Sequence, residues 1–403
     1  MKNFLFKKKA TGRLAVVFDI GSASVGAALV GLQNDGTPKM FYTTRRDITI
    51  SKKLTSDALS SEMAKALEKA ARDIVREGFS HVRFTFFNIR KPVSIFVTLA
   101  SPWHVSQVRT IRKKDPRSFR VDEGLIRELI LNELNEFRKV HESHLSNHTE
   151  TKYEIIEGDV LDVRLNRYEV RNPVGKSAHE LEMTLFASSA PTDFLNMIEN
   201  IGRGVFSNAD VRFASFTFAF FNAVRDIWHE KREYFLLDVS GEVSDLSLVK
   251  DGKLHDTTSF PFGRNTVLRN VSVGLNLSFA ETESLLSMYA ENRLANFEMH
   301  RLKKILSNAG AEWIRLLTKE LGNISSHIML PHDIYLTADM PLRDWFKGIL
   351  SGAALASVTP NQQPFKVTVL DEKTLEPYCH AGLGVRKDPF LIVETLFLNK
   401  KVV

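Results

Sequence analysis

The chain has 403 residues, of which 43% are hydrophobic and 25% are charged, and its formal net charge is +6. This composition is typical of a globular protein that is long enough for two or more domains. The single cysteine, Cys379, excludes an internal disulfide, and the modest basic excess argues against nucleic acid as a partner.

The N-terminal segment "MKNFLFKKK" combines apolar and basic side chains. Two interpretations are open: residues 1–9 contact an anionic membrane surface, or they form a disordered tail. No secretory signal is recognisable after this segment. The longest apolar run, "FASFTFAFFNAV" (213–224), is too short to cross a bilayer and is predicted to be a buried helix. The sequence therefore predicts a cytoplasmic location.

The first half of the chain alternates strand and helix patterns. "RLAVVFDI" and "SVGAALVGL" read as two strands around a small-residue turn, and "LSSEMAKALEKAARDIVREGF" has helical spacing. The segment 93–102 is an apolar strand, and the charged segment "RTIRKKDPRSF" (109–119) is predicted to be a solvated loop. A second amphipathic helix, "VDEGLIRELILNELNEFRKVHE", precedes three predicted strands that end near residue 190.

In the second half, "YFLLDVSGEVSDLSLVKDGKL" reads as strand, turn and strand, and residues 275–328 are mostly helical. "HDIYLTADMPLRDWFKGIL" is predicted to be a strand that leads through a loop into a helix. The last segment, "DPFLIVETLFLNKKVV", is an apolar run of strand-like character.

One pattern occurs in each half of the chain. "VVFDIGSASVGAALV" (16–30) and "FLLDVSGEVSDLSLV" (235–249) share an apolar strand that ends in Asp, a small-residue turn and a second strand. Two such hairpins facing each other would clamp phosphates through turn N–H groups and Ser hydroxyls. Asp19 and Asp238 would then hold Mg²⁺ through water. The alternative is that each segment is an ordinary hairpin turn.

With these hairpins, the chain resembles the actin-like ATPases, and within them the FtsA family of cell-division proteins and the related PilM family of pilus-assembly proteins. The resemblance extends over nearly the whole chain. "RNPVGKSAHELEMTLFASSA" (171–190) is similar to the segment that closes the small inserted subdomain of FtsA, and "CHAGLGV" (379–385) resembles the closing helix of the family.

The resemblance implies an α/β protein with the two-lobed actin-like ATPase fold, which consists of duplicated ribonuclease H-like domains with a small inserted α+β subdomain. The expected boundaries are a basic tail at 1–13, lobe 1 at 14–92 and 188–232, the insertion at 93–187, lobe 2 at 233–376, and a closing helix and tail at 377–403 that return to lobe 1.

The resemblance also implies the site residues. The expected nucleotide-binding positions are Asp19, Gly21, Ser22 and Ser24 in the first phosphate loop, Asp238, Ser240, Gly241 and Ser244 in the second, Gly263 in a Pro-x-Gly turn, Glu283 at the ribose, and Thr337 in the adenosine loop. The expected cofactors are ATP and Mg²⁺, and no catalytic residue is assigned.

The sequence departs from the family pattern at several of these contacts. Glu242 places a carboxylate where backbone should approach a phosphate, so it is expected to repel the phosphate unless it points to solvent. Ala338, Asp339 and Met340 replace glycines of the adenosine loop, and Leu286 replaces a common Lys. These departures favour a weak ATPase or a pseudo-ATPase that works as a scaffold.

The function implied is that of an FtsA-like scaffold in cell division, at the inner face of the membrane. The alternative is a PilM-like component of type IV pilus assembly, and a small-molecule kinase of the same superfold is a further alternative. The expected partner is a membrane-associated protein of either machinery, and a polymer of the chain itself is also expected in this family.

Overall fold

The structure of the protein is a computed structural model. It describes residues 13–33, 36–50, 55–82, 94–144, 151–207, 209–325, 329–359 and 362–402. The predicted membrane contact of residues 1–9 lies outside these ranges.

The described residues form strands and helices in the following order along the chain. The strands are β1 (Arg13–Ile20), β2 (Ser24–Leu32), β3 (Lys39–Asp47), β4 (Ser94–Leu99), β5 (Val105–Arg120), β6 (Tyr153–Leu165), β7 (Tyr168–Glu169), β8 (Ser177–Pro191), β9 (Val211–Ser215), β10 (Tyr234–Val239), β11 (Ser244–Lys250), β12 (Lys253–Phe260), β13 (Asp333–Ala338), β14 (Lys366–Val369) and β15 (His380–Ala381). The helices are α1 (Ser56–Arg76), α2 (Glu123–His144), α3 (Thr192–Val205), α4 (Phe216–Ile227), α5 (Arg264–Leu275), α6 (Phe279–Ala290), α7 (Asn296–Ser325), α8 (Arg343–Leu350), α9 (Glu372–Leu375) and α10 (Pro389–Val402).

Lobe 1 has a six-stranded sheet in the order β15-β3-β2-β1-β4-β9. Strands β1, β2 and β3 are antiparallel neighbours, whereas β4 runs parallel to β1. This pairing corrects the predicted boundary of the insertion at residue 93, because β4 belongs to the lobe 1 sheet.

Lobe 2 repeats this arrangement in a five-stranded sheet, β12-β11-β10-β13-β14. Strands β10 and β11 form an antiparallel hairpin, and β13 runs parallel to β10, as β4 does to β1. The sheet packs against α5, α7 and α8 around the fully buried Trp313 and Phe346. The two halves of the chain therefore share one topology, as expected for a duplicated fold.

A third sheet, β5-β8-β6-β7, forms the inserted subdomain, and α2 packs on it through Phe137. The charged segment 109–119 was predicted to be a loop, and that prediction is wrong. It lies in β5 and pairs with β8, with Arg112 on Glu182 and Lys114 on Glu180. A strand with one face in water needs few apolar residues, which explains why its polar sequence looked like a loop.

The C-terminal segment was predicted to have strand-like character, and that prediction is wrong, because it forms the last helix, α10. It packs between α4 and the lobe 1 sheet, with Leu391, Val393 and Phe397 buried. A helix that is covered on most sides shows no apolar stripe, so periodicity cannot distinguish it from a buried strand. The Phe-rich segment 213–224 begins in β9 and is helical from Phe216. Across the described ranges, no helix has the length and apolar character needed to cross a bilayer.

Candidate nucleotide cleft between the two hairpins

The structure brings the two predicted phosphate loops into direct contact. Asp19 lies near the end of β1 and pairs in register with Gly26, while Asp238 is one residue from the end of β10. The Oγ atoms of Ser22 and Ser240 lie 3.4 Å apart, and the backbone N–H of Glu242 donates to Ser22 Oγ at 2.9 Å. The hairpins therefore face each other across the cleft, but their turns already bond to one another.

Gly241 shows how close the two turns are. A Cβ atom at this position would stand 2.5 Å from the backbone nitrogen of Ala23 and 2.7 Å from the carbonyl carbon of Ser22. The cavity beside these turns has a volume of about 20 Å³. A single water needs about 10–15 Å³ by the same kind of measure. This space does not accommodate a triphosphate.

The N-terminus of α5 is another place where a phosphate would bind backbone N–H groups. Gly263 precedes the helix, and the N–H groups of Arg264 and Asn265 donate to the carbonyl oxygens of Ser240 and Gly241 at 2.9 and 2.8 Å. These donors are used by the second hairpin. Ser244 turns away from the cleft, since its hydroxyl donates to the Phe262 carbonyl at 2.6 Å inside lobe 2.

Asp238 lies at the base of the cleft and is bound by its own lobe. Thr337 donates a hydrogen bond to Asp238 Oδ1 at 2.7 Å, whereas Oδ2 is buried and has no hydrogen-bond partner among the described residues. Burial and the neighbouring Asp245 raise the pKa of Asp238 well above its ordinary value. Asp238 is therefore held by a hydrogen bond within its own lobe, and burial opposes its ionisation there.

Arg45 is the main residue that the sequence analysis missed. It lies on β3, and its Nη2 donates to Asp19 Oδ2 at 2.7 Å, while its Nε donates to Asp388 Oδ2 at 2.7 Å. Its Nη1 donates to the hydroxyl of Ser24 at 2.8 Å. Thus two predicted phosphate-loop residues, Asp19 and Ser24, are both bound by an arginine of the chain itself.

The Arg45 side chain is partly buried, and its two carboxylate partners, Asp19 and Asp388, are buried. Burial raises the pKa of Asp19 to about 6 although Arg45 opposes the shift. Burial is the largest influence on Asp388 and acts in the same direction, but the charge and hydrogen bonds of Arg45 together with the Leu391 N–H outweigh it and hold the pKa of Asp388 below its ordinary value. Asp388 Oδ1 also accepts the N–H of Phe390 at 3.1 Å at the start of α10.

A phosphate was expected to bind beside Glu242 only if that side chain pointed to solvent. The Glu242 side chain does not point to solvent. Its side chain is buried and accepts a hydrogen bond from Asn265 Nδ2 at 2.8 Å. Arg269 on α5 forms an ion pair with the same carboxylate. The carboxylate that was expected to repel a phosphate instead ties the second hairpin to α5.

The adenosine side of the cleft remains more open, with a cavity of about 190 Å³. Arg264 projects into it and pairs with Glu283, the predicted ribose-contacting residue, at 2.8 Å. Asp339 and Met340 line the same cavity where the family has glycines. Leu286 is fully buried in the lobe 2 core and does not reach the cleft.

The residues of the cleft can be compared with what ATP and Mg²⁺ would need. No group of three or more His, Cys, Asp or Glu side chains is arranged to hold a metal ion within the ranges that the structure describes. An arginine guanidinium neutralises Asp19, and the two turns leave space for about one water. The residues of this closed cleft therefore do not fit a magnesium-bound triphosphate.

Comparisons with known proteins agree with the two-lobed architecture. No protein-family model matches the sequence. No curated protein matches it either. Among solved structures, the chain is similar to a PilM–PilN type IV pilus biogenesis complex, with a TM-score of 0.61 and 14% identity over 96% of this chain and 98% of that chain.

Two further solved structures are similar at lower TM-scores. One is a Bacteroides thetaiotaomicron protein with an actin-like ATPase fold and unknown function, at TM-score 0.42 and 9% identity over 96% of this chain and 95% of that one. The other is the activator of 2-hydroxyisocaproyl-CoA dehydratase from Clostridium difficile with bound ADPNP, at TM-score 0.37 and 10% identity over 97% and 96% of the two chains.

The chain therefore has the actin-like ATPase fold, as the resemblance implied. One solved structure that supports this statement at a TM-score above one half is the PilM–PilN complex, and a similarity at 14% identity establishes the fold alone.

Proposed function

We propose that the chain is an actin-fold scaffold of a pilus-type machinery that binds an extended peptide segment of a membrane-protein partner. The observation that carries the proposal is an apolar groove beside an unpaired strand edge in the inserted subdomain. The solved PilM structure that the chain resembles is a complex with a second protein, PilN, which supports a protein partner here.

The groove lies between α2 and β6 and has a volume of about 490 Å³. Leu131 and Leu134 of α2 line one side, and Tyr153 and Ile155 of β6 line the other. Gly158 permits the close approach of the two elements, because a Cβ there would stand 2.8 Å from Leu134 Cδ1. The groove therefore has an apolar lining where two elements diverge.

The edge of β6 supplies the second feature of a peptide site. Along its length β6 pairs with β8, and on its other side β7 pairs only with Arg164 and Leu165. The Val163 carbonyl accepts the Val170 N–H on this side, so the part of β6 from Tyr153 to Asp162 has one edge with no strand partner among the described residues. Such an edge binds an added strand through backbone hydrogen bonds, while adjacent pockets select alternate side chains.

Charged side chains at the rim would orient the peptide. Arg138 and Glu142 of α2, Lys152 just before β6 and Glu154 on β6 line the groove. The mixture of both signs around an apolar floor suits a peptide with alternating apolar side chains and polar flanks. The occupant we propose is therefore an extended segment of a protein anchored in the membrane, and not a lipid surface.

Site-specific crosslinking in the native host would test this proposal. A photo-crosslinking residue in place of Asn135, which is exposed at the groove, should trap one membrane-anchored protein. The matched control is the same residue at Lys69, which is exposed on α1. Trapping of another copy of the chain, trapping of nothing, or equal trapping from both positions would contradict the proposal.

A charge introduced among the apolar residues of the groove should show whether the crosslinked partner binds in the groove or only lies near it. Leu131→Arg places a cation at a half-buried position among the apolar side chains that line the groove. We expect the crosslink yield at Asn135 to fall by about tenfold, since an unpaired charge at an apolar contact costs more than about 1 kcal/mol. An unchanged yield would show that the peptide does not lie along this floor.

The other roles implied by the resemblance stay predictions. A division scaffold, a self-polymer and a position at the inner face of the membrane each need their own test. For a division role the partner trapped at Asn135 would be a division protein, so the same crosslinking experiment distinguishes the two machineries.

A further inference from the structure

We infer that Arg45 is the permanent cation beside the interlobe cleft, and that it neutralises Asp19 of the first hairpin where magnesium and phosphate would otherwise be needed. The chain then closes its cleft without a nucleotide. This inference concerns the hairpin site and is independent of the groove proposed above for a peptide.

The register of three neighbouring strands positions the guanidinium. Asp19 on β1 pairs with Gly26 on β2, and Gly26 pairs with Arg45 on β3. A Cβ at Gly26 would stand 2.8 Å from Arg45 Nη2, so the missing side chain leaves the space through which Arg45 reaches Asp19. Gly26 and Arg45 therefore act together: the glycine leaves the space, and the arginine fills it.

The guanidinium has the number and arrangement of partners expected of a structural cation. It donates to Asp19 and Ser24, and it donates from two nitrogens to Asp388, at 2.7 and 2.9 Å. Its side chain is 16% exposed, and it lies 5.3 Å from the centre of the Phe390 ring. A planar arginine with five donors can hold several acceptors at once, which a lysine cannot do in this geometry.

The contacts across the cleft explain why closure needs no ligand. Ser22 of lobe 1 accepts the N–H of Glu242, and Ser101 of lobe 1 donates to Asp245 of lobe 2 at 2.8 Å. Ser240 of lobe 2 donates to the Ser101 carbonyl at 3.3 Å. With Asp19 neutralised inside lobe 1, the turns approach without repulsion between a bare carboxylate and the acidic residues of lobe 2.

Thermal unfolding of the full chain tests the inference through three variants. Arg45→Met removes the charge and keeps a similar length, and we expect the midpoint to fall by about 10 °C because two buried carboxylates lose their counter-charge. Arg45→Lys should fall between this variant and the wild type. Arg46→Met is the matched control, since the neighbouring Arg46 is 42% exposed and pairs with Asp73 outside the cleft.

A triple variant distinguishes a cation from ordinary packing. Arg45→Met combined with Asp19→Asn and Asp388→Asn removes all three charges of the ion-pair cluster, and Asn can still cap α10. We expect it to recover most of the lost midpoint. If the triple variant is as unstable as Arg45→Met, or if Arg45→Met unfolds with the wild type, the inference is wrong.

Adding Mg²⁺ with or without ATP to the wild type and to Arg45→Met tests the inference in a second way. Millimolar Mg²⁺ and ATP should leave the wild-type midpoint unchanged, whereas Mg²⁺ without ATP should raise the midpoint of Arg45→Met relative to KCl of equal ionic strength. A wild-type midpoint that rises with Mg²⁺ and ATP, and no longer rises in Asp19→Asn, would overturn the inference. That result would show that the cleft opens and binds nucleotide at the first hairpin.

Discussion

Gly241→Ala is expected to destabilise the closed protein by about 3 kcal/mol, because the new Cβ would overlap backbone of the opposite lobe. The atoms that it would meet are the Ala23 nitrogen at 2.5 Å and the Ser22 carbonyl carbon at 2.7 Å. Neither atom can rotate away as the end of a flexible side chain can. The strain of overpacking is typically about 1–3 kcal/mol and rises when backbone must move, so the upper end of that range is the expected loss.

Urea unfolding and small-angle scattering together would measure this effect. The scattering should show a larger radius of gyration for Gly241→Ala, since the lobes can relieve the overlap only by separating. Gly204→Ala is the control: it lies in α3, a Cβ there would have no neighbouring heavy atom within 4 Å, and alanine favours the helix. Equal stability and equal size for Gly241→Ala and the wild type would contradict the contact between the hairpins.

The same glycine illustrates how far the sequence could predict the site. The resemblance assigned Gly241 to a phosphate loop, where backbone must lie bare against a ligand. The structure also requires bare backbone there, but the group that approaches is the turn of the first hairpin. Both explanations demand glycine, so the residue alone cannot distinguish a ligand from a protein contact.

The fold was largely predictable, because each hairpin carries its own local signal. The β1–β2 and β10–β11 pairings follow from apolar strands on either side of small-residue turns. The predictions for α10 and the polar strand β5 were wrong, since burial on most sides and exposure on one face each remove the expected periodicity.

Arg45 could not be found in the same way. Its partners lie 26 and 343 positions away in the sequence, and only the strand register places them together. The one available signal was Gly26, a glycine inside an otherwise apolar strand, which often marks the close approach of another group. An ion-pair cluster formed by residues that are distant in the sequence therefore cannot be predicted from the sequence alone. The hairpins that support the cluster can be.

The second large effect is expected on the pH dependence of stability, and it comes from Glu157. This residue is a buried carboxylate that joins the insertion to lobe 1. It lies at a bulge in β6, and its Oε2 accepts hydrogen bonds from the Ser188 hydroxyl at 2.7 Å and the Ser215 N–H at 3.0 Å. Ser215 caps α4, so the carboxylate supports the start of that helix. Its Oε1 is buried with no hydrogen-bond partner among the described residues.

Burial raises the pKa of Glu157 from 4.5 to about 7, and the nearby charges are Lys401 on α10, which lowers it, and Asp159 on β6, which raises it. Between these two pH values the folded chain holds more protons at this site than the unfolded chain does. Stability from this group is therefore fully present below about pH 4.5 and is lost as pH rises through about 7. The loss amounts to about 3 kcal/mol.

Glu157→Gln should remove this part of the pH dependence. An amide can keep its oxygen toward Ser188 and Ser215, and it carries no charge at any pH. Urea unfolding near pH 4.5 and at mildly alkaline pH should show a stability loss in the wild type that is smaller in the variant by about 3 kcal/mol.

Glu154→Gln, which changes an exposed residue on the same strand, is the control and should lose as much stability as the wild type. Burial of Asp19 and Asp245 raises the pKa of each to about 6, so a slope of the same sign should persist in both variants. Identical pH dependence in Glu157→Gln and the wild type would mean that Glu157 is ionised and solvated at the junction, and that the insertion does not rest on a protonated acid.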